Sequence, residues 1–325
     1  EAGISSFFQH PNLVELYDVC LIDEIPTMVM EFVDGVPLTD LVARLGEKGR
    51  SFPRAAALKI IMESCDGLHH AHQLTDLRGK SLEIIHRDVS PQNILISFKG
   101  QVKVLDFGVA RASESVSKEL PGVMAGKYAY MSPEQCRGED LDPRSDLFSL
   151  GVILYELSTN KRLFRRETHA AAMKAVLKDP IPKPSESNRG FPRVLERIIL
   201  SVLEQSRQQR MDSARELSSS LQRYASVAGE IMSSEVLGEF VSELYSEKIE
   251  QDREKVRRAL DVMRAYTEKE GVKAVKSESG GAGERYRLRD GSSAEAQLEL
   301  GTLAARTLSR ESQSETGGAI RANQD

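Results

Sequence analysis

The 325 residues, 40% of them hydrophobic, are enough to bury one large core or two modest ones. A net charge of -5 and a pI near 5.8 leave no basic footprint for nucleic acid, and no polybasic cluster marks an anionic membrane surface. Cys20, Cys65 and Cys136 are odd in number, far apart and outside any C-x-x-C, so neither a disulfide framework nor a zinc site is indicated and a reducing compartment fits. The longest apolar stretches, such as GVILYEL, fall well short of the roughly 18 to 20 residues that cross a bilayer, and no signal sequence opens the chain, so the expectation is a cytoplasmic protein.

The chain starts at Glu1 in EAGISSFFQ, which reads as the middle of a helix, so a cut N-terminus is expected. LVELYDVCLID and TMVMEFV are rich in β-branched and apolar residues and predict two strands joined by a turn around EIP. From Pro37 the spacing becomes helical, first in LTDLVARLGEKG and then in RAAALKIIMESCDGLHHAHQ. The polar loop LTDLRGKS leads to short strands predicted at EIIHR, NILIS and QVKVLDF. From Ser132 to about Tyr224 helices are predicted at PEQC, SDLFSLGVILYELS, THAAAMKAVLKD, PRVLERIILSVLEQ and SARELSSSLQRY. Beyond them Leu237, Phe240, Val241 and Leu244, then Ile249, Val256 and Met263, mark amphipathic helices that either dock on the main domain or form a short coiled coil. The Gly-, Ser-, Glu- and Arg-rich stretch after them is not expected to fold.

The chemistry concentrates in HRDVSPQN at 86–93 and DFG at 106–108. Asp88, Asn93 and Asp106 fall at successive predicted strand ends and can converge on one point, Asp88 to accept a hydroxyl proton and Asn93 and Asp106 to bind Mg2+ through oxygen. These residues resemble the signature of protein kinases. Further along, SPE at 132–134 is similar to the end of a kinase activation segment. SDLFSLG, with Asp146 and Gly151, resembles the helix that anchors the catalytic loop, and Arg210 matches the arginine that pairs with the segment-end glutamate, here Glu134. Upstream, HPNLVELYD and MVMEFVDG resemble the strand and hinge of the family. Met30 stands as gatekeeper, and Glu31, Val33 and Leu95 as nucleotide-binding residues.

The resemblance covers residues 1 to about 224 and lies closest to bacterial, eukaryotic-like serine/threonine kinases. It implies an α+β, kinase-like fold: a remnant of a small β-rich N-lobe and hinge at 1–33 and a mostly helical C-lobe at 34–224. A helical extension at 225–270 and an unfolded tail at 271–325 complete the expected organisation. It also implies ATP and Mg2+ as cofactors and protein substrates, rather than antibiotics or choline. The C-terminal amphipathic helices offer a further surface for a partner.

One position departs from the family. Where most serine/threonine kinases carry lysine two residues past the catalytic aspartate, this chain has Ser90, and where they carry threonine in the activation segment it has Lys127. The sequence reads as an exchange in which Lys127 delivers the ammonium to the phosphate. The alternative is a solvated lysine and a lost contact.

Arg87 implies control by a phosphate on the activation segment, and Ser113, Ser115 and Ser117 are the candidates, against the alternative of a solvated serine-rich loop. HHAH at 69–72 spreads over different helix faces and is not read as a metal site. The family register places Glu1 at the glutamate that pairs with the nucleotide-binding lysine, and no glycine-rich loop precedes the hinge. The chain as given is therefore expected to be weakly active or inactive. A non-catalytic, pseudokinase-like interaction module is the alternative function.

Overall fold

The computed structural model describes residues 9–22, 25–76, 78–105, 127–269, 273–275 and 285–287. Strands β1 (Leu16–Ile22) and β2 (Ile25–Met30) form an antiparallel pair with Leu16 opposite Met30 and Cys20 opposite Thr27. This pair is tied to the rest of the molecule through the residues just before it. Val14 N–H donates to Val104 O (3.0 Å), Val104 N–H to Asn12 O (2.8 Å) and Asn12 Nδ2 to Val102 O (2.9 Å). Gly67 makes the approach possible, since a Cβ there would lie 2.8 Å from Asn12 O and from Leu13 Cδ2.

A second, three-stranded antiparallel sheet has the order β3 (Gly35–Pro37), β4 (Ile94–Ser97), β5 (Val102–Val104). Alternation along β4 buries Ile94 and Ile96 on one face and leaves Leu95 half-exposed on the other. The strand predicted at EIIHR is a correction. Glu83 and Arg87 take positive φ values of 50° and 67°, and the amides of His86 and Arg87 are taken by the Asp146 carboxylate instead of a ladder.

The helical lobe is built around α2 (Arg54–His72) and α4 (Pro143–Thr159). Small residues Ala56, Ala57, Ala71 and Gly67 let neighbours close on α2, and α4 is buried from Ser145 to Leu157. Fully buried Leu, Ile and Phe side chains here contribute about 1.5–3 kcal/mol each. Helix α4 starts on an Asp142 cap that accepts from Arg144 N–H. It stops at Asn160, in the left-handed region, whose Oδ1 accepts from Phe52 N–H (3.1 Å). Around this pair lie α1 (Leu38–Glu47), α3 (Pro133–Arg137), α5 (His169–Lys178), α6 (Pro184–Ser187), α7 (Arg193–Val202) and α8 (Ala214–Ala228).

Helix α8 runs on to Ala228, and α9 (Ser234–Leu244), buried through Leu237, Gly238, Val241 and Leu244, belongs to the same compact unit, which ends at Leu244. The remainder is a separate unit with the 24-residue α10 (Ser246–Lys269) and two short strands, β6 (Lys273–Val275) and β7 (Arg285–Arg287). These strands pair antiparallel, with Ala274 opposite Tyr286, inside a stretch that composition gave no reason to order.

Candidate active site

The 86–93 loop is held from below by Asp146, 1% exposed, in the first turn of α4. Its Oδ1 accepts from Arg87 N–H (2.9 Å), and its Oδ2 accepts from His86 N–H (2.9 Å) and lies 2.8 Å from Nε2 of buried His72. These contacts force the loop out of strand geometry and fix where Asp88 begins. His86 is fully buried. Its Nδ1 accepts from Asp88 N–H (3.3 Å), which assigns the proton to Nε2 for donation to Leu105 O (2.6 Å).

The loop then closes on itself. Asn93, in a short 3-10 turn with Pro91, donates from Nδ2 to Asp88 O (2.8 Å), and its N–H donates to Ser90 O (3.0 Å). Asn93 O in turn accepts from Leu105 N–H (2.9 Å). Asp88, Asn93 and the residue before Asp106 thus share one hydrogen-bonded neighbourhood, and Ser90 is buried within the loop at 4% exposure. With Nδ2 engaged, Asn93 Oδ1 accepts from no described residue. A neutral oxygen so placed is a donor suited to a hard divalent cation.

Asp106, Ser113, Ser115, Ser117 and Glu1 lie outside the described residues. Lys127 opens a 3-10 turn at 127–130. That turn is anchored through its far end: Ser149 Oγ donates to Tyr130 O (2.6 Å), and Tyr130 Oη donates to Glu156 (2.8 Å) while accepting from Arg162 (3.0 Å). Burial and the neighbouring Glu156 charge push the Tyr130 hydroxyl well above its ordinary pKa. The next residues fix the segment end against the loop. Ser132 and Gln135 form a reciprocal capping box, and Gln135 Nε2 donates to Arg87 O (2.7 Å).

Glu134 and Arg210, 76 residues apart, meet in the core as a bidentate pair at 2.7 and 3.1 Å. Ser145 Oγ adds a hydrogen bond to Glu134 (2.7 Å), and Arg210 also donates to Arg144 O (2.7 Å) and Glu204 O (3.0 Å). Burial works against the Glu134 charge, but the Arg210 and Ser145 hydrogen bonds and the guanidinium charge outweigh it. The carboxyl is held down at about 2.

At the hinge, Glu31 N–H donates to Glu15 O (2.8 Å). The Glu31 carbonyl and the Val33 N–H and carbonyl bond no other described residue, so they are left as an open backbone edge at the hinge. Two residues here escape a reading by motif. Lys103, 8% exposed, donates to Glu31 Oε2 (2.8 Å) and Leu13 O (3.2 Å), a lone cation inside the apolar run VKVL. His72 is the other. The remaining histidines of HHAH go elsewhere, His70 stacking on His10 with ring centroids 5.0 Å apart.

A catalytic loop hung on the buried base of a helix, with a segment end locked by a distant arginine, defines a kinase-type phosphotransferase lobe. The protein kinase domain family matches residues 1–221. The chain belongs to the protein kinase family. It is 37% identical over 229 residues to the serine/threonine-protein kinase PknB of Mycobacterium leprae (strain TN), covering 69% of this chain and 35% of that protein. It is 35% identical over 226 residues to the tyrosine-protein kinase MasK of Myxococcus xanthus (strain DK1622), covering 70% and 35%. The chain spans about a third of the length of these curated relatives. Among solved structures, the Mycobacterium tuberculosis PknI kinase domain has the same fold, with a TM-score of 0.51 and 24% identity over 69% of this chain and 76% of that one.

Proposed function

We propose that the chain serves a serine/threonine protein kinase that transfers the γ-phosphoryl group of ATP to hydroxyls of protein substrates. The observation that carries this reading is the loop closure, Asn93 Nδ2 to Asp88 O at 2.8 Å, which holds the asparagine side chain against the Asp88 backbone. Asp88 orients the substrate hydroxyl and accepts its proton. Asn93 through Oδ1, with Asp106, would hold Mg2+, which would supply neutralisation of the phosphate charge. The open Glu31 carbonyl and Val33 backbone would receive the adenine edge, over Leu95. Lys127 supplies the cationic phosphate contact in place of the lysine that Ser90 replaces. Phosphorylation of Ser113, Ser115 or Ser117 would give Arg87 an anionic partner and order the segment. The protein works in the cytoplasm on this reading.

Nucleotide binding tests the assignment directly. Thermal unfolding with and without millimolar Mg2+ and ATP should show a stabilising shift that Asn93→Ala and Asp106→Ala each remove. A cooperative transition that ATP and Mg2+ leave in place would overturn it.

A further inference from the structure

Helix α9 begins after residue 221, where the family match ends, yet it packs directly on the sheet that carries the catalytic loop. Leu237, Val241 and Leu244 give it one buried stripe, and Gly238 lies buried beside them. Opposite is the turn joining β4 to β5, Phe98 to Gly100. A Cβ on Gly100 would lie 1.8 Å from Ser234 O and 2.7 Å from Gly238 N. One on Gly238 would lie 2.8 Å from Phe98 O and from Lys99 C. Gly100 also has a φ of 76°, so both its conformation and its neighbour exclude a side chain. Ser242 Oγ donates to Phe98 O (3.3 Å). The far end of α9 grips the α1 region: Arg44 Nε donates to Leu244 O (3.4 Å), and Arg50 sits 3.6 Å from Glu243 with its guanidinium 5.8 Å from the Phe240 ring centroid.

The gripped turn leads to the site along both strands. Phe98 N–H donates to Asp34 O just after the hinge (2.9 Å). Strand β4 starts at the residue after Asn93, and β5 ends one residue before Leu105, the partner of Asn93 O. Strands of four and three residues hold little stability of their own, so their outer end needs an external support.

We propose that α9 is a brace for the nucleotide site: by locking the β4–β5 turn, Gly100, Gly238 and Ser242 act as positioning residues for Asn93, for its partner Leu105 and for the hinge. The proposal rests on the kinase reading for its effect on nucleotide, but the mechanical part stands on the packing alone.

The test compares Gly238→Val with Glu239→Val, which introduces the same β-branched residue at the adjacent exposed position, and with a chain ending at Glu230. Amide hydrogen exchange is read on each, and the KM for Mg·ATP and for protein substrate on the same changes made in the full-length protein. Gly238→Val and the shortened chain should speed exchange over residues 94–105 by about tenfold or more while α2 and α4 keep their protection. They should also raise the KM for Mg·ATP by about tenfold and leave that for protein substrate in place. Glu239→Val should do neither, and Ser242→Thr, which retains the hydroxyl, should be milder than Ser242→Ala. Unchanged exchange over 94–105, an equal rise throughout α4, or a loosened hairpin with an unaltered KM for Mg·ATP would each overturn the proposal. A full-length protein with no phosphoryl transfer would refute the kinase reading, and the exchange arm would still decide whether α9 is the brace.

Discussion

Replacing Arg210 with methionine should be among the most destabilising single changes in the helical lobe. The substitution leaves Glu134, 1% exposed, with Ser145 as its remaining hydrogen-bonding side chain and no cation bonded to it. A carboxyl held at about 2 against an ordinary 4.5 has its ionised form stabilised by about 3 kcal/mol. Breaking one side of a buried pair independently suggests about 3–5 kcal/mol. Because the folded pKa is depressed, this contribution is fully present above pH 4.5 and is lost as pH falls from 4.5 towards 2. Urea denaturation at pH 7 should therefore show a loss of about 3 kcal/mol in Arg210→Met, with the gap to wild type narrowing as the pH approaches 3. The double change Glu134→Gln with Arg210→Met should recover part of that loss, since it removes the stranded charge. A loss below about 1 kcal/mol at neutral pH, or a gap that stays constant down to pH 3, would refute the reasoning.

Asp146→Asn keeps the shape but places an amide donor against the His86 and Arg87 amides; hydrogen exchange at those two amides should accelerate, with a stability loss of about 2–4 kcal/mol by denaturation. Tyr130→Phe removes the hydroxyl shared by Glu156 and Arg162 and should cost about 1–2 kcal/mol in the same assay. Gly151→Val brings a Cβ to 2.8 Å from Val202 Cγ1 and 3.1 Å from Leu203 Cδ2, so overpacking between α4 and α7 should cost about 1–3 kcal/mol, read as a lowered unfolding midpoint.

What the sequence discloses follows from how local the determinants are. The spacing of Asp88 and Asn93 is set within one loop, and the fold brings them together through a bond between those same residues. Glu134 and Arg210 are joined only by tertiary structure, so the family resemblance, and not spacing, is what points to their pairing. The stretch EIIHR misleads because its two isoleucines mimic a strand, whereas the carboxylate that captures its amides comes from Asp146, some 60 residues away. The apolar stripe of α9 is legible, but Gly238 within it reads as a weak helix position until the backbone of Phe98 and Lys99 is seen against it. Lys103 offers a fainter signal: one cation in an apolar strand needs a carboxylate, and nothing local names Glu31 as that partner.

The central claim is phosphoryl transfer to serine or threonine, and the most direct measurement is transfer by the full-length protein from γ-labelled ATP, with Mg2+, to a general protein substrate, followed by phosphoamino acid analysis and by the Asp88→Asn variant in parallel. The account predicts label on phosphoserine or phosphothreonine, abolished in Asp88→Asn without loss of the folded state. Label on phosphotyrosine alone, or transfer that survives Asp88→Asn, would contradict it.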